Sequence, residues 1–174
     1  GNPMDVAISG DAFFKIEVPG NDEPLYTRNG AFVVDAEGNL VNMDGYLLLG
    51  PDSIDPAARD FSIGSDGTIT YKTPNDDTVI EASRLELARF VNPSGLEQIG
   101  QSLYRANEIS GEPEDWDPDD DGSITLNGGY LEMSNVQIVE EMVNLITAQR
   151  AYEFNSKSIQ SADEMLGMAA NLKR

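Results

Sequence analysis

The chain has 174 residues, enough for one real core with a small appendage but short for two independent domains. Its 31 acidic against 11 basic residues give a net charge of −20, which argues against nucleic acid and anionic membrane surfaces as partners. With no Cys and no His, disulfides, thiolate metal sites and imidazole bases are excluded, and no apolar run approaches the length of a membrane span.

The chain opens on Gly1-Asn2-Pro3, without an initiator Met or a basic-then-apolar leader, and is expected to be a trimmed or processed product. From Met4 to about Val91 short alternating strands are punctuated by Gly turns. Ala12–Val18 and Leu25–Arg28 flank a polar turn, and Asn29-Gly30 then predicts a two-residue turn leading into Ala31–Asp35. Glu37-Gly38-Asn39, Asp44-Gly45 and Asp66-Gly67 mark three further turns. Arg84–Val91 alternates as a half-exposed strand until Asn92-Pro93-Ser94-Gly95 interrupts it. A single helical turn is expected over Leu96–Ile99, and an extended path over Gln101–Arg105. Such close turn spacing suits a small antiparallel β sandwich or barrel. The expected class is therefore mainly β with α: a β core over residues 1–108, an acidic Gly/Pro-rich loop with a return strand over 109–133, and one long helix over 134–174.

That helix contains no Pro and one Gly, Gly167, and Ser134 with Gln137 three residues later reads as a capping box. At about 100° per residue, Val139, Val143, Ile146, Phe154, Met168 and Leu172 fall on one side. Leu145, Ala148, Tyr152, Asn155, Ile159, Ala162, Leu166 and Ala169 fall on the other, spaced alternately by three and four residues. That spacing keeps a seam facing a partner helix in a left-handed coiled coil. One row can pack on its own domain; two rows call for another chain or another segment, so the second row is the expected assembly interface.

One local motif suggests a ligand. Asp117, Asp119 and Asp121 with Gly122 match positions 1, 3, 5 and 6 of a calcium loop, although the twelfth position is Gly128 and Glu132 would have to complete the shell. An exposed acidic turn explains the same residues. No other cofactor is indicated. No phosphate-cradling loop or nucleophile elbow is present, the few aromatics form no cluster in the sequence, and an enzyme is not expected.

Longer stretches carry a resemblance. Residues 4–19 and 25–50 resemble the shared core motif of flagellar rod and hook proteins, and residues 129–173, with the Ser134-Asn135-Val136 start and Gln149-Arg150-Ala151-Tyr152, resemble their C-terminal helix. Residues 87–106 are more similar to the distal rod branch than to its relatives. The N-terminal helix that the family pairs with its C-terminal helix is absent from this sequence. The resemblance implies a structural subunit that stacks into a helical tube in the basal body, crosses the periplasm, transmits torque and surrounds an export channel, with its own copies and other rod and hook subunits as partners. It gives no support to a calcium role. The alternatives are another member of the same family, such as a proximal rod subunit, or a secreted calcium-dependent binding module.

Overall fold

Strand β2 (Phe13–Glu17) is the spine of the molecule, because its alternating side chains are covered on both faces. Phe14 and Ile16 point into one apolar cluster, while Phe13 belongs to a second, and Lys15 is buried beside it. The computed structural model describes residues 2–21, 23–55, 58–73, 76–119 and 122–172, with side chains for all of these except 76, 77, 82 and 169–172. They form mostly antiparallel sheets and one C-terminal helix.

Around β2 the main sheet runs β11 (Glu97–Gly100), β12 (Leu103–Arg105), β3 (Leu25–Thr27), β2, β6 (Leu47–Leu48), β5 (Leu40–Asn42) and β4 (Phe32–Val34). Strand β10 (Leu87–Arg89) pairs with β2 and with β13 (Glu114–Asp115). Two smaller sheets join β1 (Val6–Ser9) to β14 (Thr125–Gly128), and β7 (Arg59–Ile63) to β8 (Thr68–Thr73) and β9 (Asp76–Arg84). The larger core gathers residues from almost every strand, among them Val6, Phe14, Phe32, Leu48, Ile69, Leu87 and Leu126.

The other face holds an aromatic cluster, contrary to the sequence expectation. Phe13, Tyr26 and Phe90 are buried there with Tyr104 against them, and their rings meet edge to face at centroid distances of 4.8 to 5.8 Å. They come from four different strands or loops, so only the pairing brings them together. The same two-sidedness explains why consecutive Leu87 and Ala88 are both buried: each serves a different core.

The turns at Gly38, Gly45 and Gly67 join β4 to β5, β5 to β6 and β7 to β8 as the sequence suggests, each with a positive φ between 84° and 89°. Asn29-Gly30 does not behave this way. Strands β3 and β4 are not partners; instead Gly30 accepts a hydrogen bond from the Val6 amide at 3.0 Å, and a Cβ there would stand 1.7 Å from the Val6 carbonyl oxygen. The glycine is needed for backbone contact, not for left-handed φ. Residues 96–99 also differ from expectation. Pro93–Gly95 makes the single helical turn, and Glu97–Gly100 is a strand closed onto β12 by Gln101 and Ser102, both at positive φ. Finally, the stretch expected as an acidic loop with a return strand carries two strands: β13 and β14 pair with β10 and β1, and Trp116, Ile124 and Leu126 enter the core.

Lys15 is a buried charge of this unit. Its ammonium donates to Glu86 at 3.2 Å and to Asp115, joining β2 to the residue just before β10 and to β13. Burial opposes its charge, but the hydrogen bonds to Asp115 and Glu86 and the charges behind them prevail, so its pKa lies above the ordinary 10.5.

Candidate assembly surface

The chain divides into two compact units, residues 1–132 and 133–174. The second is in essence helix α1 (Ile138–Leu172), 35 residues. Its sequence favours helix formers, and Glu140 and Glu141 in the first turn suit the positive end of the backbone dipole. The helix starts three residues later than the capping box predicts. Ser134 Oγ accepts from the Val136 amide at 3.2 Å, a local turn two residues on, and the Glu141 amide donates to the Gln137 carbonyl at 3.1 Å. Gln137 therefore occupies the capping position, and Ser134 and Gln137 do not form a capping box. Inside the helix, Thr147 Oγ1 is satisfied by donating to the Val143 carbonyl at 2.8 Å.

Every described side chain of α1 is exposed. Leu145 is 67 % exposed, Tyr152 77 %, Ile159 63 % and Leu166 69 %, and between them Ala148, Asn155 and Ala162 keep the row low. The Ala169 side chain lies outside the described residues. Val139, Val143, Ile146, Phe154 and Met168 are likewise exposed on the other side. Gln149, Glu153, Ser156, Gln160 and Glu164 make a polar strip spaced by three and four residues between the two rows. A solvated helix of a monomer shows one apolar stripe at most. Here full burial of the four large residues of the Leu145 row alone would be worth on the order of 10 kcal/mol of transfer free energy, before the cost of ordering a partner.

The first unit ends on an anchored residue. Arg28 donates through Nε to Glu132 at 2.9 Å, and through its terminal nitrogens to the carbonyls of Gly10 at 2.9 Å, Ala12 at 3.2 Å and Ile8 at 3.3 Å. Its guanidinium also lies 5.7 Å from the Phe13 ring centre. Nothing in the spacing of residues 28 and 132 announces this clamp; an isolated Arg after a strand is unremarkable in sequence. On either side of Glu132 in sequence, Tyr130 and Met133 are exposed.

The described acidic residues of the loop, and Glu132, make contacts of their own. Asp117 accepts from the Asp119 amide at 3.0 Å, the Asp119 carboxylate stands 3.9 Å from Arg84, and Glu132 is held by Arg28. Asp121 lies outside the described residues. Among the described residues no group of three or more acidic side chains is placed to hold a metal ion, and no helix is long and apolar enough to cross a membrane.

Comparison with known proteins supplies the context for this surface. Residues 127–172 match the family profile of the flagellar basal body rod FlgEFG protein C-terminal, and residues 7–71 match the flagellar hook protein FlgE/F/G D1 domain. The chain is 44 % identical over 173 positions to the flagellar basal-body rod protein FlgG of Borreliella burgdorferi, covering 98 % of this chain and 64 % of that protein. It is 40 % identical over 179 positions to FlgG of Bacillus subtilis, covering all of this chain and 67 % of the relative. It is 31 % identical over 181 positions to the flagellar hook-basal body complex protein FlhP of the same organism, covering 98 % of this chain and 65 % of the relative. The chain thus spans about two thirds of the length of such relatives. On these matches it belongs to the flagellar basal-body rod protein FlgG family.

Proposed function

We propose that this chain is a structural subunit of the flagellar distal rod, built into the basal body by polymerising through α1 with its own copies and with other rod and hook subunits. The observation that carries the reading is a helix with two exposed apolar rows in a chain of the rod protein family. A contact that joins unlike faces without closing builds a filament, and a helix with apolar surface on two sides suits the crowded centre of one. On this reading the Leu145 to Ala169 row is a coiled-coil seam, the helices line an export channel, and the tube carries torque across the periplasm. The role is structural and asks for no catalytic group.

The test places a charge in the seam. Ile159→Asp or Leu166→Asp leaves an unpaired carboxylate where the assembly would be dry, a penalty of several kcal/mol by the cost of burying lone charges, or about 3 kcal/mol at the least. Cells carrying either variant in the full-length protein are expected to build no distal rod and not to swim, while the β unit of the purified variant melts as in the wild type. Motile cells with normal rods would refute the seam.

A further inference from the structure

Between residues 23–26 and 106–113 the first unit opens a groove of ≈ 710 Å³. Its walls are apolar where Pro24, Ala106 and Pro113 line it, and three exposed carboxylates, Glu23, Glu108 and Glu112, stand around it. None of the three takes part in an ion pair among the described residues.

An independent feature lies beneath them. Tyr26 also lines the groove and is only 2 % exposed, its ring packed edge to face on Phe90 at 4.8 Å. No buried side-chain nitrogen or oxygen of the described residues lacks a hydrogen-bond partner, and no described residue bonds to the Tyr26 hydroxyl. The hydroxyl is therefore the solvent-touched tip of an enclosed side chain, and it opens on the groove. Burial raises its pKa, the Lys15 charge works against that rise and Glu23 adds to it, so the phenol lies within electrostatic reach of this carboxylate as well as of Lys15.

Apolar walls, a ring of carboxylates and a phenolic oxygen at the floor complement one kind of group: a long apolar stem ending in a cation. We propose that this groove docks a Lys- or Arg-bearing segment of another protein, the stem lying against the two prolines and the cationic head reaching the carboxylates and the Tyr26 oxygen. A second copy of this chain offers the groove few cations, 11 basic against 31 acidic residues for a net charge of −20. The same charge steers a basic chain toward the groove and makes the encounter sensitive to salt.

The experiment uses the whole chain at physiological salt and an acetylated, amidated Gly-Lys-Gly-Arg-Gly peptide as probe, read by amide NMR shifts. Glu108→Gln with Glu112→Gln removes two groove charges; Glu37→Gln with Glu81→Gln removes two exposed charges elsewhere. Saturable shifts at Tyr26 and 106–111 are expected, weakened at least about fivefold by the groove pair and less than about twofold by the control pair, since a specific site senses local rather than net charge. Tyr26→Phe, which keeps the ring, should weaken binding by about twofold or more through the lost acceptor. Equal losses in the two charge pairs, which would mean diffuse attraction only, or shifts scattered over the surface, would overturn the proposal.

Discussion

Gly30 shows how a residue can be legible in kind and misread in purpose. Asn29-Gly30 is turn chemistry by local rules, yet its glycine is demanded by Val6, 24 positions away, through a contact that local rules cannot see. Gly45 is the control: its φ is 84° and a Cβ there would meet open space. Gly30→Ala must displace backbone and is expected to cost about 3 kcal/mol or more. Gly45→Ala, which only strains φ, should cost about 1–2 kcal/mol. Denaturant melts of the two variants check the order; equal losses would mean that the Val6 approach is not what fixes Gly30. Lys15 was equally unreadable, because Glu86 and Asp115 lie 71 and 100 residues away. Its raised pKa means that its contribution is complete below the unfolded value of about 10.4 and is lost as pH rises through the higher folded one. Tyr26, held neutral by burial, erodes stability over the same alkaline range. At the acid end the signs reverse. Hydrogen bonds to Asn39, Glu37 and Gly38 outweigh desolvation at Asp35, and the Thr68 hydroxyl leads at Asp66, so both carboxyls lie below 3.8 and their stabilisation fades as pH falls through those lowered values. Thermal melts across pH should therefore show a plateau between the two ranges, with a shallower alkaline fall in Lys15→Met. An unchanged fall in that variant would remove Lys15 from the account.

At the scale of elements, hairpins closed by their own turn were readable, and the pairing of strands recruited from a distance was not. The turns at Gly38, Gly45 and Gly67 carry φ > 0 chemistry between alternating segments, which suffices to place them. Strands β13 and β14 sit in a stretch dominated by Gly, Pro and Asp, and they exist because β10 and β1 offer edges to pair with. The aromatic cluster is hidden for the same reason, since Phe13, Tyr26, Phe90 and Tyr104 share a face only after β2, β3, β10 and β12 assemble. The helix was legible from its period, but not its first turn. Ser134 looks like a cap and works as a local turn, so Ser134→Ala should leave helix content unchanged and cost less than about 0.5 kcal/mol, against about 1 kcal/mol for a true capping serine. Circular dichroism decides between them, and a clear loss of helicity would restore Ser134 as the cap.

At the scale of the whole molecule, two units divide the work. The β unit has a core of its own: its buried apolar side chains meet in two clusters and no buried polar side-chain atom among the described residues goes without a partner. The helical unit leaves its apolar rows open. The two opposite apolar rows were readable because they follow from 3.6-residue geometry alone. The groove and the Arg28 clamp were not, because they join residues on separate strands and loops. The most direct measurement is hydrogen exchange across residues 145–166, in the dilute isolated chain and in rods assembled from the full-length protein. Slow exchange in the rod with fast exchange in the isolated chain is the predicted result, since a lone helix without its packing partners gains little support. Equal, strong protection in the dilute monomer would show that the apolar rows are covered without an assembly, and the account would fail.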